Sequence, residues 1–210
     1  MSPIPPIRLL IVDDHYIARA GLVSALNAEP GLKVVGEASN GRRAAELALE
    51  IHPDVTLMDA CLPVMDGLEA TRQILEQQPE ARVLMLSIRE GEQDIAAAQQ
   101  AGVLGYLPKS VEHATLLEAI RTVAKGREFY PPEIAARLKA SKNRRPLSPR
   151  ESQMLDHIVR GYSNKEIAAS LSIADHTVRL HVSNLLEKLG VQDRTQAAAA
   201  AIKLGYVHLD

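Results

Sequence analysis

The N-terminal part of the chain alternates short, almost continuous apolar runs with longer amphipathic stretches. The apolar runs predict β-strands at residues 7–12, 33–38, 55–58, 82–86 and 105–107. The amphipathic stretches predict helices at residues 15–27, 41–51, 68–77, 94–101 and 111–125. Strands that are apolar on both faces and alternate with helices are typical of a parallel sheet covered by helices on both sides. The pattern therefore predicts an α/β fold with a five-stranded parallel sheet.

Residues 147–210 show a different pattern, in which no stretch convincingly indicates a strand. Ser148 with Glu151, and Ser163 with Glu166, have the spacing of a capping box, in which the serine caps a helix and the acid reaches back to the serine amide. Together with the apolar spacing they predict four helices, at residues 149–160, 164–171, 176–190 and about 194–204. A short turn between the second and third of these predicts a helix-turn-helix in a small all-α domain.

A polar, basic segment with two prolines, Lys139–Pro149, separates the two patterns and predicts a linker. We predict a first domain over residues 1–127, a linker over 128–146 and a second domain over 147–210. A short helix is expected to begin at Pro131 or Pro132. Acidic residues outnumber basic ones before residue 141, and the reverse holds after it, so the two domains are expected to have different partners.

The composition indicates a soluble protein of a reducing compartment. Cys61 is the only cysteine in the sequence, so no internal disulfide can form. The early apolar run is too short for a signal peptide or a membrane span, and the first six residues, MSPIPP, are expected to be a loose leader. We therefore expect a cytoplasmic protein without a membrane partner.

Several chemically active side chains follow the predicted strands directly: Asp13, Asp14, Asp59, Ser87 and Lys109. The carboxyl ends of parallel strands meet at one edge of the sheet, where ligands bind. Three carboxylates in one pocket repel each other and one lysine cannot neutralise them, whereas Mg²⁺ binds carboxylates, water and phosphate oxygens. Asp59 stands alone at its strand end, so we predict that it is a nucleophile that forms an aspartyl phosphate.

Other interpretations of these residues remain open at this point. Adjacent aspartates are often a turn or a helix cap, and Asp66–Gly67 predicts a turn before a helix. A Mg²⁺-dependent phosphatase with an aspartate nucleophile is an alternative, although such enzymes usually carry a second acid two residues later, where this chain has Cys61. A phospho-switched protein-interaction module is another alternative.

The motifs VDDH, MDACLPVMDG, MLS and GYLPKS follow each other in order at the predicted strand ends. With them, residues 7–127 resemble the flavodoxin-like (CheY-like) receiver domain of two-component response regulators. The resemblance implies that Asp59 is the phosphoacceptor, and that the metal ligands are Asp13, Asp14, Asp59 and the backbone carbonyl of Cys61. It also implies a switch pair, Ser87 and Tyr106, with Tyr106 turning inward after phosphorylation, and Lys109 as the partner of the phosphoryl group.

The motifs LSPRE, GYSNKEIAASL and HTVRLHVSNLLEKLGVQDRTQA cover about residues 146–206. They resemble the output domain of the NarL/FixJ (LuxR-type) family, whose second motif helix enters the major groove of DNA. The resemblance makes Arg179 and Leu180 candidates for base contacts and His181 for a phosphate contact. The full set of expected DNA contacts is Lys165, Thr177, Arg179, Leu180, His181, Ser183, Asn184 and Lys188. Because Ala174 replaces the family's usual capping serine, Asp175 is expected to cap this helix.

Together, the two resemblances imply a phosphorylation-dependent DNA-binding transcriptional regulator of a two-component system. The expected cofactor is Mg²⁺. The expected partners are double-stranded DNA, a sensor histidine kinase and a second copy of the chain. No enzymatic activity is expected beyond the protein's own phosphorylation and dephosphorylation.

Overall fold

The computed structural model describes residues 5–209, so most of the predicted leader, residues 1–4, lies outside the described residues. The chain divides into two compact units. The first contains the residues up to Arg89 together with Ile95–Ala135, and the second contains Glu90–Asp94 together with the residues from Ala136 onward. Within residues 5–209, no helix combines the length and the apolar character that a membrane crossing requires.

The first unit is built on a five-stranded parallel sheet with strand order β2-β1-β3-β4-β5. Its strands are β1 (Ile7–Val12), β2 (Leu32–Ala38), β3 (Val55–Asp59), β4 (Val83–Ser87) and β5 (Gly105–Pro108). The helices between and after them are α1 (Tyr16–Asn27), α2 (Gly41–Ile51), α3 (Gly67–Gln77), α4 (Glu92–Gln100) and α5 (His113–Val123). The predicted α/β class and flavodoxin-like fold are confirmed, and every predicted bound in this unit lies within two residues of the observed one.

The sheet is held by apolar side chains on the central strands. All five residues of β3 and all five of β4 are buried, as the continuous apolar runs predict for parallel strands covered on both faces. On one face, Leu9 and Ile11 of β1 belong to the same buried cluster as Leu26 of α1 and Ile120 of α5. Because β1, β3, β4 and β5 are consecutive neighbours in the sheet, their carboxyl ends form one continuous edge.

The second unit contains four helices that match the predicted small all-α domain: α7 (Pro149–Val159), α8 (Asn164–Leu171), α9 (Asp175–Leu189) and α10 (Arg194–Leu204). The capping boxes of Ser148 with Glu151 and of Ser163 with Glu166 are both formed, which confirms the predicted starts of α7 and α8. One apolar cluster joins the four helices and includes Leu155, Ile167, Val178 and Ala201. The turn of residues 172–174 makes α8 and α9 a helix-turn-helix.

The segment between the two predicted domains is partly helical. Helix α6 (Pro132–Asn143) begins where the sequence predicts and buries Ile134 and Leu138, which are spaced one turn apart. It continues through Lys139–Asn143, the start of the polar, basic segment within which the composition predicts a linker. Alanine and lysine favour a helix, so this half of the basic segment extends α6. The helix ends before Pro146, because the residue that precedes a proline disfavours the helical conformation.

A buried carboxylate connects α7 with α9. Glu151 is 6% exposed, and its Oε2 accepts hydrogen bonds from the Ser148 amide (2.7 Å), the Ser148 hydroxyl (2.8 Å) and the Lys188 ammonium (2.7 Å). Burial raises the pKa of Glu151, but these hydrogen bonds lower it by more, so its pKa lies below the usual glutamate value. The ionised carboxylate therefore stabilises the folded second unit.

We predict that Glu151→Gln lowers the free energy of unfolding of the second unit by about 1–3 kcal/mol at neutral pH, because hydrogen bonds to a charged group are lost. The contribution of Glu151 is complete above the unfolded pKa of about 4.3 and is lost as the pH falls through the lower folded pKa. Urea unfolding of the full chain, followed by circular dichroism, should therefore show a difference between wild type and Glu151→Gln that shrinks below about pH 4.3. A difference that stays constant down to pH 3 would contradict this account.

Candidate acidic site and helix-turn-helix surface

The carboxyl edge of the sheet brings together the residues that the strand ends predict. Asp13 directly follows β1, Asp59 is the last residue of β3, and Lys109 directly follows β5. The Lys109 ammonium lies 2.7 Å from Asp13 Oδ2 and 2.7 Å from Asp59 Oδ2. Asp13 and Asp59 are each 2% exposed, so this cation bridges two buried carboxylates that come from different strands.

The other oxygens of the two buried carboxylates accept backbone hydrogen bonds. The His15 amide donates to Asp13 Oδ1 at 2.8 Å, and the Cys61 amide donates to Asp59 Oδ1 at 3.0 Å. Asp14 is more exposed, and its Oδ1 lies 2.8 Å from His15 Nδ1. The carboxylates of Asp13 and Asp59 are thus each held in one orientation by a backbone amide of the turn that follows the strand.

The pKa values at this site reflect both burial and charge. Burial raises the pKa of Asp59, and although hydrogen bonds from Lys109 and the Cys61 amide lower it, the net direction is upward. Burial lowers the pKa of Lys109, but hydrogen bonds to Asp13 and Asp59 raise it by more, so the ammonium remains charged at neutral pH. One ammonium among three carboxylates leaves excess negative charge, which a divalent cation would neutralise.

The residues present suit such a cation. One ligand atom from each of Asp13, Asp14, His15 and Asp59 can be chosen so that all four lie within 4.8 Å of one another. A carboxylate oxygen that accepts one hydrogen bond keeps a lone pair for a metal, and Mg²⁺ prefers carboxylate oxygens. His15 is a member of this group that the sequence analysis did not include, although it directly follows Asp14 in the VDDH motif.

Ser87 and Tyr106 meet at the loop after β4. The Ser87 hydroxyl oxygen accepts from the Arg89 amide at 2.9 Å, and the Tyr106 hydroxyl donates to the Arg89 carbonyl. Both side chains are buried, with Tyr106 1% exposed. The resemblance implies that Tyr106 turns inward after phosphorylation, but in this structure the ring is already buried, and its hydroxyl reaches the backbone of Arg89.

Gly67 is a second residue whose role the sequence analysis missed. The dipeptide Asp66–Gly67 predicts a turn before a helix, and Asp66 does cap α3 by accepting from the Glu69 amide at 2.7 Å. A Cβ atom on Gly67 would lie 2.0 Å from the backbone oxygen of Asp59. Only glycine lets α3 begin this close to the end of β3, so Gly67 helps to define the position of Asp59.

The exposed face of α9 carries four of the eight predicted DNA contacts. Val178, Leu185 and Leu189 are buried and Leu180 is 62% exposed, so α9 has one buried face and one exposed face. The exposed predicted contacts are Lys165 on α8 and Arg179, Leu180, Ser183 and Asn184 on α9. The other three, Thr177, His181 and Lys188, are half-buried.

Two of the expectations for α9 need correction or restriction. Asp175 does not cap the helix, because α9 has no side-chain cap and the Asp175 carboxylate instead accepts from Arg179 at 2.9 Å, one turn later. Lys188 is bound to the buried Glu151 and therefore has a structural partner within the domain. Contact of Lys188 with a DNA phosphate remains a prediction, and it would compete with this ion pair.

Comparisons with known proteins agree with this geometry. The family model described as response regulator receiver domain matches residues 9–121, and the one described as bacterial regulatory proteins, luxR family, matches residues 145–201. The transcriptional regulatory protein DegU of Brevibacillus brevis is 36% identical over 96% of this chain and 95% of its own. The response regulator protein VraR of Staphylococcus aureus is 39% identical over 94% of this chain and 97% of its own.

A solved structure extends the similarity to the fold. The crystal structure of the response regulator ChrA, from a heme-sensing two-component system, is 36% identical and covers 97% of this chain, with all of its own chain matched and a TM-score of 0.57. The acidic site at the sheet edge, the helix-turn-helix and both family matches lead to the same assignment. The chain belongs to the two-component response regulators that join a receiver domain to a LuxR-type DNA-binding domain.

Proposed function

We propose that this protein regulates transcription and that a phosphoryl group on Asp59 switches its DNA binding. The observation that carries the proposal is the Lys109 ammonium, which lies 2.7 Å from both Asp13 and Asp59 at the carboxyl edge of the sheet. A cation that is shared by two carboxylates can exchange one of them for an incoming anionic oxygen. A phosphoryl group on Asp59 supplies such oxygens.

The transfer starts from Asp59 as a positioned nucleophile. A carboxylate oxygen of Asp59 attacks phosphorus, an O–P bond forms, and the bond between phosphorus and the leaving group breaks with its electron pair on the leaving group. The donor is a phosphohistidine of a sensor kinase or a small acyl phosphate. The amides of Cys61 and His15 fix the carboxylates before the donor arrives, so the site is preorganised for the reaction.

Mg²⁺ would be held by Asp13, Asp14, Asp59 and the backbone carbonyl of Cys61. It would supply charge stabilisation for the phosphoryl oxygens as the transfer proceeds. Lys109 exchanges one of its carboxylate partners for one phosphoryl oxygen. The Ser87 hydroxyl donates to another, since a hydroxyl can accept from the Arg89 amide and donate at the same time.

Ser87 and Tyr106 then couple the site to the surface of the receiver. Both side chains hold the backbone of Arg89, Ser87 through the amide and Tyr106 through the carbonyl. A hydrogen bond from Ser87 to the phosphoryl group shifts the backbone of Arg89, to which Tyr106 is also hydrogen-bonded. The phosphoryl group therefore biases the loop after β4, which is a local change able to select one of two surface conformations.

The output is sequence-specific binding to double-stranded DNA. Arg179 and Leu180 read base edges in the major groove, and Ser183, Asn184 and Thr177 complete this contact surface. Lys165 and His181 bind phosphates, with Lys188 able to join them if it leaves Glu151. Two copies of the chain bind paired half-sites, and the protein works in the cytoplasm, where the DNA is. The receiver catalyses only its own phosphorylation and dephosphorylation.

We predict that incubating the full chain with acetyl phosphate and Mg²⁺ adds one phosphoryl group, because Asp59 retains the group as an acyl phosphate. Intact-protein mass spectrometry should detect the adduct in the wild type and should not detect it in Asp59→Ala or when EDTA replaces Mg²⁺. Asp156→Asn is a matched control, because Asp156 forms an ion pair with the exposed Arg160 on the helix-turn-helix unit and not at the acidic site.

Two outcomes would contradict this part of the proposal. An adduct that persists in Asp59→Ala would show that another residue is the phosphoacceptor. Rapid hydrolysis of many equivalents of acetyl phosphate without an adduct would favour the alternative, a Mg²⁺-dependent phosphatase with an aspartate nucleophile.

We predict that Arg179→Ala weakens binding to a duplex selected from a random pool by about 5- to 150-fold, since a bidentate arginine–guanine contact is worth about 1–3 kcal/mol. Arg160→Ala is the matched control, because both arginines are exposed and pair with an aspartate one turn earlier. Fluorescence anisotropy at fixed salt concentration measures the affinity, and phosphorylation should remain unchanged.

If Arg179→Ala and Arg160→Ala bind the selected duplex equally well, Arg179 does not read bases. If no duplex is enriched from the pool, either with or without acetyl phosphate, the helix-turn-helix serves a protein partner instead.

A further inference from the structure

Arg19 on α1 reaches back to the turn that carries the two aspartates. Its Nη1 donates to the backbone carbonyl of Asp13 at 2.6 Å, and its Nε lies 3.4 Å from Glu37 Oε2 on β2. The guanidinium lies 5.8 Å from the ring centroid of Tyr16, and the Arg19 side chain is only 14% exposed. An arginine on the first turns of a helix is usually solvated, so this arrangement calls for a reason.

The backbone of Asp13 is held on both sides. Its amide donates to the Ala38 carbonyl at 3.2 Å, which continues the pairing of β1 with β2 past the last strand residue. Its carbonyl, in a residue that is 2% exposed, accepts from Arg19. A buried carbonyl needs a partner, and the guanidinium provides a directional, charge-assisted one.

We propose that Arg19 is a positioning residue for the metal site, which acts by fixing the Asp13–Asp14 turn in the orientation that binds a divalent cation. The inference rests on the proposed function, since it assumes that Asp13 and Asp14 bind Mg²⁺. Arg19 does not touch the cation. It fixes the backbone conformation at the end of β1, and that conformation determines the orientation of the Asp13 and Asp14 carboxylates.

The positive charge of Arg19 acts against its positioning role, because it lowers the affinity of the site for a cation. A guanidinium near the site repels a cation, but the Glu37 carboxylate at 3.4 Å compensates this charge. Loss of an outer partner of a metal ligand typically lowers metal affinity by 10- to 100-fold. Because Arg19 holds the backbone of a ligand residue and not its carboxylate, the effect belongs at the lower end of that range.

The experiment measures Mn²⁺ binding to the full chain by electron paramagnetic resonance, since Mn²⁺ prefers the same oxygen ligands as Mg²⁺. The wild type should bind Mn²⁺, and Asp14→Asn should bind it more weakly. Arg19→Met should raise the dissociation constant for Mn²⁺ about 10-fold. Arg19→Lys keeps the charge but has a single donor nitrogen, so its dissociation constant should lie between those of the wild type and Arg19→Met. Arg43→Met is the control, because Arg43 is half-exposed and forms an ion pair with Glu46 on the same helix, α2.

A second readout separates positioning from general destabilisation. In the acetyl phosphate reaction, Arg19→Met should raise the Mg²⁺ concentration for half-maximal rate about 10-fold but should change the rate at saturating Mg²⁺ by less than about threefold. Thermal unfolding shows whether each variant is folded, and Arg19→Lys serves as the test variant if Arg19→Met is not.

The outcomes distinguish this inference from the proposed function. Arg19 variants that bind Mn²⁺ as Arg43→Met does, or more tightly than the wild type, would overturn the positioning role. If the wild type binds no Mn²⁺, or binds it equally well in Asp14→Asn, the metal site of the proposed function fails as well.

Discussion

The acidic site of the receiver depends on one interaction, in which the Lys109 ammonium is shared between Asp13 and Asp59. Two buried carboxylates from neighbouring strands would repel each other in the folded state without a cation between them. The lysine satisfies one oxygen of each, and backbone amides satisfy the others. These hydrogen bonds stabilise the site in the present structure. Lys109 can nevertheless exchange a carboxylate oxygen for a phosphoryl oxygen. We interpret the exchange of Lys109 from carboxylate to phosphoryl oxygens as the chemical basis of the switch.

The rest of the receiver supports this interaction by controlling backbone positions. The strand order places the ends of β1, β3, β4 and β5 side by side, and Gly67 allows α3 to begin against the backbone of Asp59. The loop between β3 and α3 also holds Val64 at a φ of 70°, a conformation that branched residues rarely adopt. In the second unit, Glu151 performs a comparable task by joining the start of α7 to Lys188 on α9.

The sequence predicts most of the fold and of the acidic site because both follow from periodic patterns. Continuous apolar runs predict the strands, capping boxes predict the starts of α7 and α8, and parallel strands must bring Asp13, Asp59 and Lys109 to one edge. What could not be predicted depends on contacts between distant residues. Nothing in the spacing of Glu151 and Lys188 indicates their ion pair, and Lys188 on an exposed helix suggests a phosphate contact. The pairing of Asp175 with Arg179 was within reach, because an acid and a base one turn apart commonly interact.

A crystal structure of the full chain with Mg²⁺ and beryllium trifluoride, a mimic of the phosphoryl group, tests the exchange of Lys109 most directly. Our account predicts a metal ion bound by Asp13, Asp14 and Asp59, the mimic on Asp59, and the Lys109 ammonium within hydrogen-bonding distance of a fluoride. A structure in which the mimic is bound while Lys109 still bridges Asp13 and Asp59 would contradict it.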